Sequence, residues 1–246
     1  MLPPLLYLPG LDGTGRMLNR QRRLFDDFDV RCVDFPHDRL ASYEELADMG
    51  TDALVRNAAG RPAVLLAESF GGAVALTLAL RRPDLIERLF LVNTFAYFPR
   101  RLWLYLANLV GGYFPNRPPH PLTRLIRRPF FFAPDVPADD RNDWWQRTAH
   151  VPLQGYALRM KIIHDLDLRP RLPEINIPAL VLVATNDRIV PPPAGRDLAR
   201  RLPHARLIEM PVGHAALAHP RVDVATMLRS VASDQWPVTR ALPAGH

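Results

Sequence analysis

The stretch that decides the fold of this chain is AVLLAESFGGAVA, residues 63–75. Apolar, partly β-branched residues run into a small–X–Ser–X–Gly turn, and a helical pattern follows at once. A serine at the tip of such a turn has a strained backbone, and its neighbours must be small. The turn exposes the Ser69 hydroxyl and places the Phe70 N–H at a helix N-terminus, which favours an anion. We interpret Ser69 as a candidate nucleophile and Phe70 as an oxyanion donor; the alternative is a buried serine in a glycine-rich packing turn.

A glycine-rich loop, PGLDGTG at residues 9–15, follows the first predicted strand. Its amides can turn outward, and we predict the N–H of Leu11 as the second oxyanion donor. Gly10 and Asp12 beside it are predicted to bind substrate. A phosphate-binding loop or a plain turn are the alternatives. The spacing matches neither phosphate fingerprint and Lys161 is the only lysine, which disfavours phosphate.

Two later strands are each followed by a side chain that could complete a catalytic site. The strand at 179–184 precedes Asp187, and the strand at 206–210 precedes His214. An acid beyond the carboxyl end of a strand points into the crevice where α/β proteins bind ligands, although Asn-Asp also forms turns. Ser, Asp and His occur here in the chain order of one known triad fold. In that triad His214 takes the proton of Ser69, and Asp187 orients the imidazole.

From Leu5 to about Val231 the chain resembles α/β-hydrolases of the capped esterase, lipase and thioesterase type. LPGLDGTG at 8–15, FDVRC at 28–32 and AESFGG at 67–72 are similar to the hydrolase-like part of plant phytyl ester synthases and their bacterial relatives. The resemblance implies a serine nucleophile and ester or thioester chemistry. A Ser-Asp-His mechanism of this kind needs no metal and no organic cofactor. The resemblance leaves the substrate open, and the sequence contains no His-x4-Asp acyltransferase motif.

Strands and helices alternate along the chain. The predicted strands are 5–8, 30–35, 63–68, 88–93, 179–184 and 206–210, and the predicted helices are 43–58, 70–81, 194–201 and 220–232. Alternation with continuous apolar strands predicts an α/β fold, a mostly parallel sheet with helices on both faces. The family's usual first two strands are missing here, so we expect 30–35 to be an exposed edge at which a dimer could pair.

We predict a hydrolase core at residues 1–94 and 171–235, a helical cap at 95–170 and a loose tail at 236–246. The cap is rich in aromatic residues, of which Trp103, Phe131 and Trp144 are candidates for an acyl pocket. The alternative is that they only pack the cap onto the core. Several arginines in the same segment suit an acyl group attached to an anionic carrier.

The composition bears on three classes of protein: nucleic-acid-binding, membrane-spanning and disulfide-bonded proteins. The 246 residues carry a formal net charge of +6, and no nucleic-acid recognition motif accompanies it, so a nucleic-acid partner is not favoured. An anionic carrier or surface stays possible. No apolar run suggests a membrane span, and the apolar N-terminus is interpreted as a strand rather than a signal peptide. The single cysteine, Cys32, excludes an internal disulfide, and we expect a cytoplasmic protein.

The sequence thus predicts a serine hydrolase that acts on carboxylic esters, in which water hydrolyses the acyl-enzyme. An acyltransferase or thioesterase would use the same acyl-enzyme. A carbon–carbon-cleaving enzyme on the same fold and an inactive binding module would also fit the pattern. The oligomeric state is left open.

Overall fold

A computed structural model of the chain describes residues 2–18, 21, 25–57, 61–98 and 128–232. Six strands within them form one sheet: β1 Pro4–Leu8, β2 Asp29–Cys32, β3 Ala63–Glu68, β4 Ile86–Val92, β5 Ala179–Ala184 and β6 Ala205–Met210. The strand order is β2-β1-β3-β4-β5-β6, and each neighbouring pair is parallel. The predicted α/β fold is confirmed, and the carboxyl ends of these strands share one edge of the sheet.

Helices cover both faces of the sheet. Those within the described ranges are α1 Tyr43–Asn57, α2 Phe70–Arg81, α3 Ala138–Thr148, α4 Leu153–Ile163, α5 Pro192–Arg201 and α6 Val224–Ala232. Successive strand side chains point to opposite faces and so build two apolar clusters. One packs Leu6, Leu65 and Val181 with α1, α2 and α5, and the other packs Tyr7, Leu66 and Leu182 with α6. The central strands β1, β3 and β5 are buried along their whole length, as apolar parallel strands require.

Two boundaries differ from the sequence prediction by three residues or more. β2 ends at Cys32 instead of residue 35, and the last bond from this segment to β1 is that of the Val33 N–H to the carbonyl of Tyr7, at 3.1 Å. The N–H of Phe35 donates instead to the carbonyl of Gly13, 2.8 Å away. The last helix begins at Val224 instead of residue 220, because the Asp223 carboxylate caps it by accepting the N–H of Thr226 at 2.9 Å.

The segment between β4 and β5 interrupts the alternation with α3 and α4. An isolated antiparallel bridge between Tyr97 and Asp167 joins the two ends of this segment. The division into core and cap stays a prediction, and the tail at 236–246 lies outside the described residues. Of the six described strands, β2 is an outer one, and pairing of two such edges also stays a prediction. Among the helices in the described ranges, none is long and apolar enough to cross a bilayer.

Candidate active site

Ser69 lies in the turn between β3 and α2, with a φ of 52° and a ψ of −119°. This left-handed φ is uncommon for a residue with a side chain and is the strain that the sequence motif predicts. The Ser69 N–H donates to the carbonyl of Val92, 2.9 Å away on β4. A Cβ on Gly71 would lie 2.3 Å from the carbonyl oxygen of Leu8, so only glycine lets α2 start against the end of β1. The turn is therefore fixed by the strands on both sides.

The predicted oxyanion loop is a tight turn over residues 10–13. The N–H of Gly13, at a φ of +70°, donates to the carbonyl of Gly10 at 3.0 Å. Because a trans peptide holds N–H and C=O on opposite sides, the N–H of Leu11 points away from the inside of the turn. A Cβ on Gly10 would lie 3.7 Å from the Cβ of Ser69, so the turn lies against the serine. Within the described residues, neither the N–H of Leu11 nor that of Phe70 donates to a protein acceptor.

His214 and Asp187 form a buried pair beyond β6 and β5. The imidazole Nδ1 lies 2.7 Å from Oδ2 of Asp187, and the two side chains are 9% and 2% exposed. The other carboxylate oxygen, Oδ1, accepts the N–H groups of Ile189 at 2.7 Å and Val190 at 2.9 Å. An ionised carboxylate accepts at Nδ1, so it selects the tautomer that leaves Nε2 with a lone pair. This is the form of histidine that can remove a proton.

The environment of His214 changes its proton affinity. Burial by itself lowers the pKa of His214, but the charge and hydrogen bond of Asp187 outweigh it, and the pKa lies above the ordinary value of 6.5. The charge of Glu68 adds to the increase. The imidazole is thus prepared to hold a proton, as a base must during catalysis.

Two consecutive residues after β4 hold the main chain of this site. The side-chain amide of Asn93 donates to the carbonyl of His214 at 2.9 Å, and its oxygen accepts the N–H of Ala184 at 2.8 Å. The hydroxyl of Thr94 donates to the carbonyl of Ser69 at 2.6 Å. The loops that carry the serine, the acid and the histidine are therefore fixed to one point. Sequence reasoning missed both residues, although they follow a strand end just as the predicted triad does.

A second buried carboxyl precedes the serine. Glu68 is 7% exposed and its Oε2 accepts the hydroxyl of Tyr7 at 2.8 Å. Burial raises the pKa of Glu68 to about 7. Burial also raises the pKa of Tyr7 well above its ordinary value, and the charge of Glu68 acts in the same direction. A carboxyl group that titrates near neutrality therefore lies in the floor of the site.

The predicted substrate-binding residues have different surroundings. The Asp12 carboxylate is buried and accepts the N–H of Thr14 at 2.9 Å and its hydroxyl at 2.7 Å, so its hydrogen bonds serve the loop. Burial raises the pKa of Asp12. Gly10 lies against Ser69, at the turn that carries the Leu11 N–H. Trp103 lies outside the described residues.

The two remaining aromatic candidates lie at different depths. The ring of Phe131 lies 5.8 Å from that of His214 in an edge arrangement, and its carbonyl accepts the N–H of Ala215 at 2.8 Å. The ring of Trp144 lies 4.9 Å from Phe131 and 4.6 Å from Trp145. Phe131 thus borders the imidazole directly, while Trp144 packs behind it. In the described part of the chain, no cluster of three or more His, Cys, Asp or Glu side chains could hold a metal ion.

A family model described as the alpha/beta hydrolase fold matches residues 3–218. The chain belongs to this family. Solved structures that align with 93% or more of this hydrolase have TM-scores of 0.73–0.81 at 17–23% identity, so they share its fold.

Three curated relatives illustrate what the hydrolase is similar to. The putative carbamate hydrolase RutD of Serratia proteamaculans is 27% identical and aligns with 89% of this chain and 86% of its own. The pimeloyl-[acyl-carrier protein] methyl ester esterase of Vibrio atlanticus is 29% identical over 72% and 73% of the two chains. Phytyl ester synthase 1 of Arabidopsis thaliana is 37% identical over 40% of this chain, but only 14% of its own. The resemblance to phytyl ester synthases is confirmed for that portion.

Proposed function

We propose that this alpha/beta hydrolase cleaves carboxylic esters through an acyl-enzyme on Ser69. The observation that carries the proposal is the buried pair of His214 and Asp187, with 2.7 Å between Nδ1 and the carboxylate. Asn93 and Thr94 fix that pair and the strained serine to one edge of the sheet. The pimeloyl ester esterase among its relatives supports an ester as the substrate class.

In the proposed reaction, Nε2 of His214 removes the hydroxyl proton as Oγ of Ser69 attacks the acyl carbon. The N–H groups of Leu11 and Phe70 donate to the developing oxyanion. The intermediate collapses when the imidazolium protonates the leaving alcohol. Water then repeats the sequence and releases the carboxylic acid. Throughout, the carboxylate of Asp187 stabilises the protonated imidazole.

The acyl group is proposed to be hydrophobic, because the ring of Phe131 borders the imidazole at 5.8 Å. Residues 95–170 are proposed as the cap over this edge of the sheet. Acyl transfer is a second candidate function, and it would use the same acyl-enzyme. The similarity to phytyl ester synthase 1 favours it, because that relative is named as an enzyme that forms esters. Added alcohols that increase total turnover and yield new esters would identify a transferase.

The test combines nitrophenyl esters of increasing acyl length with an organophosphonate probe. We expect turnover that rises with acyl length and one phosphonyl group on the peptide that contains Ser69. Ser69→Ala should lose turnover and labelling while its circular dichroism is unchanged. Retained turnover in this variant would refute the serine mechanism. Equal turnover for every acyl length would refute the hydrophobic acyl group alone.

A further inference from the structure

Arg159 is a buried arginine on α4, with only 3% of its surface exposed. Its Nε donates to the carbonyl of Leu11 at 2.9 Å, Nη2 to that of Asp12 at 3.1 Å, and Nη1 to that of Pro36 at 2.9 Å. Nη2 also lies 3.2 Å from Nδ1 of His37. Burial, followed by the charge of Arg159, lowers the pKa of His37, which suits a neutral ring that accepts at Nδ1. One guanidinium thus binds two successive carbonyls of the oxyanion turn.

The buried charge of Arg159 has no carboxylate within ion-pair distance among the described residues. None of the ion pairs among the described residues includes Arg159, and its hydrogen-bond partners are main-chain carbonyls and one imidazole. Burial lowers the pKa of Arg159 only to about 10, so it stays charged at neutral pH. The carboxylate of Asp12 attracts this charge electrostatically but forms no direct ion pair with it. Burying a charge without a direct ion pair is costly, and fixing a loop for stability alone does not require one.

The contacts determine the direction of one amide. In the turn at 10–13, the Gly13 N–H fixes the first peptide plane by its bond to Gly10, and Arg159 fixes the next two through the carbonyls of Leu11 and Asp12. The guanidinium also fills the space beside Gly13, where an added Cβ would lie 2.6 Å from Cζ. All three planes of the turn are therefore held, and the N–H of Leu11 has one direction.

We propose that Arg159 is a positioning residue that holds the Leu11 N–H in place for the oxyanion. The proposal rests on the proposed function and adds a residue that does not touch the substrate. Arg159 is on α4, which lies between β4 and β5 in the segment predicted as the cap. The direction of the Leu11 N–H therefore depends on the position of this helix. A displaced α4 would release the turn and weaken the oxyanion hole.

The experiment compares Arg159→Ala and Arg159→Lys with Lys161→Ala, a matched change at an exposed position of the same helix. Each is assayed with an ester and with its thionoester, whose sulfur is a weak hydrogen-bond acceptor. For Arg159→Ala we expect kcat for the ester to fall by about 100-fold or more, with KM nearly unchanged. The ratio of ester to thionoester turnover should fall as well, and methylguanidinium should restore part of the ester rate. Lys161→Ala should change none of these quantities.

Several results would overturn the proposal. One is an unchanged ratio of ester to thionoester turnover in a folded Arg159 variant, because a merely structural role lowers both rates equally. If Arg159→Ala does not fold, the same ratio in Arg159→Lys decides, since lysine keeps the charge but binds fewer carbonyls. Ser69→Ala separates the positioning role of Arg159 from the serine mechanism. If it is inactive while the Arg159 variants behave as wild type, the positioning role fails and the serine mechanism stands.

Discussion

Replacing Glu68 by glutamine should stabilise the protein at alkaline pH. The carboxyl group has an ordinary pKa of 4.5 and a pKa of about 7 in the folded protein, because it is buried. A raised folded pKa gives a contribution that is complete below pH 4.5 and is lost as the pH rises through 7. At about 1.4 kcal/mol for each pH unit between the two values, wild type loses roughly 3 kcal/mol of unfolding free energy. Glutamine does not ionise, and its oxygen can still accept the Tyr7 hydroxyl.

The measurement is equilibrium urea unfolding of wild type and Glu68→Gln at intervals from pH 4.5 to 8.5. The difference in unfolding free energy between the two proteins should change in favour of the variant by roughly 3 kcal/mol across this range. Glu44→Gln, an exposed substitution on α1, is the matched control for the change from glutamate to glutamine. A difference for Glu68→Gln that stays constant across this range would show that this carboxyl does not titrate as its burial requires.

Two further predictions concern the framework of the site. Asn93→Ala removes the bond to the carbonyl of His214 and leaves the N–H of Ala184 without its acceptor, so kcat should fall and unfolding free energy should drop by about 1–3 kcal/mol. Steady-state kinetics and urea unfolding test this, and unchanged kcat would contradict the positioning of the histidine loop. Asp187→Asn should lower kcat by about 10⁴-fold and move the acidic limb of the pH–rate profile to lower pH. The limb moves to lower pH because the substitution removes the charge of Asp187, and burial then lowers the pKa of His214. An acidic limb that stays at the same pH would contradict this reasoning.

The sequence predicted the parts of the site that follow from strand ends. Ser69 and Asp187 come after buried apolar strands and His214 comes after the outer strand β6, and parallel strands bring such positions to one edge. Asn93 satisfies the same rule at β4, but its role depends on a side-chain amide reaching two separate loops. That reach is a tertiary property that no local pattern encodes.

Arg159 could not have been found in this way. An arginine in a helix is usually exposed, and nothing in the neighbouring sequence marks the carbonyls of Leu11 and Asp12 as its partners. The beginning of α6 was misplaced for a related reason. Proline is common as the first residue of a helix, which favoured a start at Pro220. In the structure the Asp223 carboxylate accepts the N–H of Thr226 and caps the helix, so the helix begins at Val224.

The parallel pairing of all six described strands also has a consequence for how the chain folds. Parallel neighbours cannot be joined by a tight hairpin, so each pairing must first close a long crossover at an entropic cost. The residues of the site span the chain from Leu11 to His214, which gives it a high contact order and predicts slow folding. Activity regained on refolding should therefore follow the pairing of β1 with β3, β4, β5 and β6, because the residues of the site lie beyond the ends of these five strands.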